Sequence, residues 1–466
     1  MRALFFAAEI LLLLASLKSL LFWVYLWQVK EYRLGRFWAE YGSVKKLLRF
    51  WLGAGGKALK KPRFTAKATL MALIAFFPIF SVFGPSLFFL LPPFPVLPTR
   101  FYLAFLRFSI GMYLAVPVIV SLLAIVFKAP TYIAKEVLYR RAARKRREMK
   151  DLTVIGITGS YGKSSTKEFL AHILSRKFNV LKTPANVNTE AGIARFMLDY
   201  LLPRHQVFVA EIGAYRRGEI KKAARFLGPK IGILTGISEQ HMALFGSLEN
   251  TKRAKFELIE SLPEDGFALF NGENPHTAAL FEKWPGKKAL YHASSLRPDL
   301  PRHYQLNLGA AVEAARYLGL NEEEISQTVE KLEPDERMIS AFFGKSGAYV
   351  INDGYSENPD GVCAALDMLR DTKRNKKIVI MPCIIELGKA APAVHHRIGA
   401  KIREIGATGI VTTPDNFDDI KRGTGGMARL ISNPAKVIEA IKSDLGPDTA
   451  VLLEGRLPHI ISDYDF

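Results

Sequence analysis

Three long stretches of the chain carry almost no polar side chains. Residues 3–27 (ALFFAAEILLLLASLKSLLFWVYLW), 69–91 and 102–127 each meet or exceed the ~20 apolar residues that a helix needs to cross a hydrocarbon layer. They predict three helical membrane spans, with the Pro-rich link PPFPVLPTR between the second and third. The first is too long for a removable leader, and no small-residue cleavage site follows it. Between the first two spans, SVKKLLRFWLGAGGKALKK sets Leu47, Leu48, Phe50 and Trp51 among lysines. That pattern suits a helix lying flat on a membrane surface.

From Asp151 the texture changes. TVIGITGS, NVLKT, QVFVAEIG and KIGILTGI read as short buried strands alternating with helical stretches such as STKEFLAHILSRKF. This is the pattern of an α/β unit with a mostly parallel sheet. NLGAAVEAARYLGL and EEEISQTVEKL predict two helices that close it. A second α/β rhythm begins near Arg337, with strands at AYVINDGY, KKIVIMP, GIVTT and AVLLEG and helices between them. The fold class expected is therefore an α-helical anchor of three spans followed by α/β. Its divisions are 1–150, 151–334 and 335–466.

Charge refines this picture. The net charge is +20, which alone would suggest a nucleic-acid binder. Residues 1–150 hold 24 Lys and Arg against 5 Glu, however, and the remainder is nearly balanced with 40 basic and 39 acidic residues. Basicity confined to the borders of apolar spans points to anionic lipid and membrane topology, and away from nucleic acid. Eleven Lys/Arg lie in 28–67 and RRAARKRREMK follows the third span. By the positive-inside rule both segments are cytoplasmic, as is everything after residue 128. Glu9, Lys18 and Arg107 fall in or near the spans, where snorkelling or pairing inside a three-helix bundle accounts for them. The two cysteines, Cys363 and Cys383, lack metal-ligand spacing and suit a reducing compartment without a disulfide.

The densest chemistry lies in TGSYGKSSTKE, residues 158–168, between a strand and a helix. Gly159 and Gly162, with Ser160 and Ser165, let backbone amides turn toward phosphates at a helix N-terminus. Lys163 is placed to reach terminal phosphates and the Ser164 hydroxyl to ligate magnesium. Gly156 precedes Gly162 by six positions, one more than the strict phosphate-loop spacing.

The order of motifs resembles the Mur ligase family, closest to its D-alanyl-D-alanine-adding branch. The loop is followed by TPANVNTEAG, VFVAEIGAYRRGEI, TGISEQHMALFGSLENTKRAKFEL, RHYQLNLGAA, ERM, INDGYSENPDG and IELG…H. The resemblance covers all of 151–466. It implies a central ATP-binding P-loop domain and a Rossmann-like C-terminal domain. It also implies ATP and Mg2+ as cofactors. Glu211 and Ser164 would bind magnesium, His241 would match a second-metal histidine, and Lys255 the lysine that the family carbamylates. Asn307 would contact adenine, while Arg337 and Asp353 would meet the nucleotide when the last domain closes. Tyr355 and Asn358 follow in the same turn, where Pro359 equally marks a helix start. Glu357 and Asp360 read as solvated or capping.

Several positions depart from the family pattern: Thr189 and Gly236 each stand for Asn, Tyr304 for Asn, Gly361 for Ser, and MPCIIELG for LGDMxELG. The family's UDP-binding domain is missing, and the apolar segment stands in its place. The expected activity is ATP-dependent amide-bond formation through an acyl phosphate, joining an amino acid or dipeptide to a cell-wall peptide precursor at the membrane. Whether the acceptor is UDP-linked or lipid-linked stays open. The expected partners are the lipid bilayer and these substrates, and the expected location is the plasma membrane, with the catalytic domains in the cytoplasm. A membrane-bound poly-γ-glutamate-type synthase and a catalytically inactive nucleotide-binding regulator remain as alternatives.

Overall fold

The computed structural model describes residues 2–30, 32–35, 37, 61–91, 97–240, 242–333, 339–354 and 358–466. The surface-helix segment expected around Leu47, Leu48, Phe50 and Trp51 lies outside them, as do His241, Arg337, Tyr355 and Glu357. The chain divides into two compact units, Met1–Glu136 and Val137–Phe466.

The first unit contains helices Arg2–Val29, Ala66–Leu90 and Thr99–Val126. Each is long and apolar enough to cross a membrane. Trp23, Val24, Trp27, Met71, Ile79, Phe83, Val116 and Val120 make its core. Leu73, Phe77, Phe80, Phe108 and Leu122 face outward and are exposed. An apolar exterior of this extent is the reverse of a water-soluble bundle. Its interior is partly polar. Buried Glu9 accepts hydrogen bonds at Oε2 from Ser86 Oγ (3.1 Å) and Ser109 Oγ (2.6 Å), and the Trp27 indole donates to Ser121 Oγ (3.0 Å). Glu9 therefore joins all three helices by hydrogen bonds, the pairing role anticipated for it.

The second unit contains two sheets. The first holds β1 (Thr153–Thr158), β2 (Val180–Lys182), β3 (Val207–Glu211), β4 (Ile231–Leu234), β5 (Phe267–Asn271) and β6 (Lys287–Tyr291). Its order is β2-β3-β1-β4-β5-β6, and every pair is parallel. The chain runs outward from β1 on one side and returns to β4 on the other. The carboxyl ends of β1, β3 and β4 thus frame a switch-point crevice, where open α/β sheets bind ligands.

The second sheet holds β7 (Ser340–Phe343), β8 (Tyr349–Asp353), β9 (Lys376–Met381), β10 (Thr408–Val411), β11 (Arg429–Leu430) and β12 (Thr449–Glu454). Its order is β11-β10-β9-β12-β8-β7, parallel except for the β7–β8 pair. Both cysteines are free.

Helix Lys128–Glu148 ends inside this unit. Ala142 is fully buried, Tyr139 stacks on Phe226 with ring centroids 5.4 Å apart, and Arg146 donates to the carbonyls of Leu227, Met149 and Leu152 at 3.1, 2.8 and 2.9 Å. The last turns of this basic helix are part of the α/β core, because its small and aromatic residues complete the layer over β1 and β3.

Candidate active site

The phosphate loop runs from the end of β1 into helix Lys163–Leu174. Gly162 is left-handed at φ 75°, and a Cβ there would meet Asn307 Oδ1 at 2.4 Å. Asn307 therefore presses on the loop from behind and also faces the cleft. Gly159 leaves no room either, since its Cβ would lie 2.0 Å from Thr235 Oγ1. Ser160 ties the loop to the turn after β4: its N–H donates to Gly236 O (2.7 Å) and its hydroxyl accepts from Ser238 N–H (3.1 Å). With its N–H and hydroxyl so committed, Ser160 shapes the loop, and it also lines the cleft. Lys163 Nζ donates to the carbonyls of Gly159 (2.8 Å) and Ser160 (3.2 Å). Burial pushes its ammonium below its ordinary pKa, which Glu211 partly offsets.

Glu211 ends β3 and is the hub. Its carboxylate accepts from Ser164 Oγ (2.9 Å), Lys167 Nζ (3.3 Å) and Asn188 Nδ2 (3.1 Å). Its own N–H donates to Thr183 Oγ1 (3.0 Å). Burial alone would raise its pKa, but Lys163, Lys167 and these hydrogen bonds outweigh it and hold the group below the usual range. Lys167, fully buried, and Asn188 were not singled out from sequence, although both lie in the motifs TKE and TPANVN that carried the resemblance. A charge-bearing role for Lys167 was hidden by the ordinary prevalence of lysines on helix surfaces.

Lys255, on helix Leu248–Glu260, is 3% exposed and lines the same cleft. Burial, reinforced by the Lys163 charge, lowers its pKa to about 7 against the pull of Glu219, Glu257 and Glu211. Its amine is therefore substantially neutral near neutral pH, the form that adds to carbon dioxide.

Across the cleft, Asp353, Asn358 and Asp360 face this cluster from the second sheet and its first helix, with Ser165 on the near side. The cleft measures about 1040 Å³, more than a single small ligand fills. Asn358 is the N-cap of helix Pro359–Asp371, its Oδ1 accepting from Gly361 N–H at 2.8 Å. The turn is thus a helix start, and Asn358 both caps that helix and lines the cleft. Burial raises the Asp360 pKa, so it is more than a solvated cap.

Two family departures have structural causes. A Cβ at Gly236 would lie 2.3 Å from the Tyr161 ring, whose hydroxyl accepts from Asn274 Nδ2 (3.0 Å). Tyr161 occupies the room that an asparagine at 236 would need. Tyr304 is buried, packs edge-on against Phe169 at 6.4 Å, and accepts from Ile339 N–H (2.8 Å). It ties the segment entering the second sheet to the first.

Residues 157–305 match the Mur ligase middle domain and residues 337–457 the Mur ligase, glutamate ligase domain. The chain belongs to the Mur ligase family. Mur ligases are ATP- and magnesium-dependent acid–amino-acid ligases, and this chain is an enzyme of that class. It is 29% identical over 343 residues to the UDP-N-acetylmuramoyl-tripeptide–D-alanyl-D-alanine ligase of Synechocystis, covering 68% of this chain and 75% of that protein. The Bacillus subtilis ligase of the same name is 27% identical over 293 residues, covering 57% and 62%. The chain thus spans three quarters of one relative and less than two thirds of the other. Its fold is that of MurF from Acinetobacter baumannii (TM-score 0.64, 24% identity, covering 71% of this chain and 80% of that one). The same holds for the MurF ligase from Thermotoga maritima, a complex with ADP (TM-score 0.61, 21% identity, 71% and 82%).

The residues present suit magnesium. It favours oxygen ligands and commonly binds through one or two carboxylates completed by substrate phosphates. Glu211 and Ser164 offer such oxygens beside the phosphate loop. Among the described residues no group of three or more His, Cys, Asp and Glu gathers as a metal cage.

Two outcomes follow. Raising the pH from 6 to 8 at fixed dissolved carbon dioxide should take the neutral fraction of Lys255 from roughly a tenth to nine tenths, with carbamate rising alongside. A 13C carbamate signal that is absent at pH 8, or unchanged in Lys255→Ala, contradicts this. Gly236→Asn should lower the stability of the intact protein by about 1–3 kcal/mol through overpacking, and adding Tyr161→Ser should recover part of that loss. Thermal unfolding of the two single variants and the double variant measures the coupling; additive losses contradict the shared-space account.

Proposed function

We propose that this enzyme adds an amino acid or dipeptide to the peptide of a cell-wall precursor, and that the three apolar helices hold it at the membrane. The observation that carries the reaction is the convergence of Lys163, Ser164, Glu211 and Lys255 on one cleft. A carboxylate oxygen of the acceptor attacks the γ-phosphorus of ATP, and ADP leaves. The amine then attacks the acyl carbon and loses a proton, and phosphate departs with the bonding pair. Lys163 neutralises charge on the terminal phosphates, and the phosphate loop orients them for in-line transfer. Ser164 and Glu211, with Lys255 once carbamylated, would hold magnesium, which would supply charge neutralisation at those oxygens. His241, Asn307, Arg337, Asp353 and Tyr355 are assigned to the second metal and the nucleotide, following the family. The relatives' name supports D-alanyl-D-alanine as the amine and a UDP-linked muramyl tripeptide as the acceptor.

The three-part division 1–150, 151–334 and 335–466 is part of this proposal, as is the cytoplasmic placement of the second and third parts. The apolar exterior of the first unit and the confinement of basic residues beside it support the anchor. The intact Glu211 hub favours a working ligase over an inactive regulator.

The test supplies the full-length protein with ATP, magnesium, a UDP-linked muramyl tripeptide and D-alanyl-D-alanine, and detects the amide product by mass spectrometry. Lys163→Ala should lower turnover by ~100-fold or more. Liposomes should bind the full-length chain but not a chain starting at Val137, a cut that keeps the core contacts of Ala142. Phosphate release that needs neither acceptor nor amine would remove the ligase reading; equal liposome binding by both chains would remove the anchor.

A further inference from the structure

The first turn of helix Pro359–Asp371 brings Asp360 to the cleft wall on the side of the second sheet. An acid in the first turn of a helix is ordinary, since it meets the positive end of the helix dipole. Its surroundings here are not ordinary. Asp360 Oδ2 is closed to solvent and has no hydrogen-bond partner, and the cap of this helix is already supplied by Asn358. Facing it from the turn after β4 is Ser238, 4% exposed, whose hydroxyl is also closed off and without a partner. The Ser238 N–H is fixed on Ser160 Oγ (3.1 Å), and the Asp360 charge bears on the Tyr161 hydroxyl. The carboxylate therefore stands beside residues 160–161 of the phosphate loop. It reaches them from the second sheet, whereas Lys163 and Glu211 belong to the first.

The other acids that line the cleft are occupied. Glu211 holds Ser164, Lys167 and Asn188. Glu168 is paired with Lys167 and Lys182, and Glu273 with Arg302. Asp367 takes Arg370 and Lys401, and Asp371 takes Arg370 as well. Asp353 is not without a partner either. Among the described residues, Asp360 is thus the cleft-lining carboxylate with a buried oxygen left unpaired. Its nearest cation, Arg397 on helix Ala391–Glu404, donates to Glu239 instead (3.3 Å). Burial, with the Glu239 charge beside it, raises the Asp360 pKa against the pull of Arg397 and His276; Tyr161 and Cys363 complete the titratable groups around it. Buried polar atoms are nearly always hydrogen-bonded, so an unpaired oxygen in a reaction cleft points to a donor that arrives with the substrate.

The attacking amine brings such a donor, because it must give up an N–H proton as it joins the acyl carbon. We propose that Asp360 is the catalytic base that receives this proton. The proposal rests on the ligase reading. The acyl phosphate forms at the phosphate loop, and an amine entering between the two sheets meets the acyl carbon with Asp360 at hand. The nitrogen lone pair forms the new N–C bond, the acyl C–O bond breaks with its electrons passing to phosphate, and the proton passes to Asp360 Oδ2. Transfer to water afterwards restores the carboxylate. A carboxylate of raised pKa suits the task, since a base works best when its pKa approaches the working pH.

The test supplies the full-length protein with ATP, magnesium and a UDP-linked muramyl tripeptide, and offers two amines in turn. One is D-alanyl-D-alanine; the other is hydroxylamine, which traps acyl phosphates without help from a base. Asp360→Asn keeps the shape of the side chain and removes its basicity. It should lower kcat for amide formation by about 100-fold or more, with the KM for ATP unchanged and hydroxamate formed at the wild-type rate. Asp360→Glu, which keeps a carboxylate, should form amide faster than Asp360→Asn. Amide and hydroxamate lost together in Asp360→Asn, or amide formed by it at the wild-type rate, overturns the base and leaves the ligase standing. A wild type that yields neither amide nor hydroxamate removes the ligase reading, and the base falls with it.

Discussion

A buried negative charge at the end of β3 organises the ATP half of this enzyme. An ionised carboxylate with Glu211's burial, 3% exposed, is costly unless it is paired and hydrogen-bonded. Its partners come from separate parts of the chain: Ser164 and Lys167 from the helix after the phosphate loop, Asn188 from the turn after β2, and Thr183 through the backbone. Satisfying one carboxylate thereby ties the helix after the phosphate loop and the turn after β2 to the end of β3. The loop inherits this order, because the helix that carries Ser164 and Lys167 begins with Lys163.

The same charge balance reaches Lys255. Two buried amines, Lys163 and Lys255, share a cleft with one strongly held carboxylate, and Lys163 is the nearer to being compensated by it. The second amine relaxes toward neutrality, and a neutral buried lysine is a nucleophile. Conversion to a carbamate would exchange that positive charge for a negative one in the cleft proposed to hold magnesium and phosphates. The facing domain is positioned by few but specific contacts: Tyr304 with Ile339, Glu239 with Arg397 (3.3 Å), and Ala243 N–H with Glu386 O (2.9 Å).

Much of this was legible in the order of residues. The β-branched runs that became β1, β3, β4, β8, β9 and β12 are central strands buried on both faces, so their hydrophobicity is continuous and easily read. β7 is wholly exposed and β6 mostly partly buried; edge strands like these lack that signature, and neither was anticipated. β5 (FALFN) was missed as well, having no β-branched residue. In the site, the glycines and Ser164 followed from phosphate-loop chemistry and Glu211 from its place in a motif. The Tyr161–Gly236 exchange was visible only as a lone departure, because the residues meet across the crevice and not along the chain. The hydrogen bonds of Glu9 could not be paired from sequence for the same reason, since Ser86 and Ser109 lie on two other helices.

The first unit poses a different physical problem from the second, with many large apolar side chains exposed on its outside and the Glu9 carboxylate buried inside. A lipid setting would favour that distribution, and it supports the proposed placement of the ligase at a membrane. The chemistry itself can be tested more directly than the location. If the acceptor carboxylate is activated as an acyl phosphate, an acceptor labelled with 18O in that carboxylate should deliver one 18O to the inorganic phosphate released with each amide formed. Phosphate carrying no 18O while amide accumulates would contradict the account.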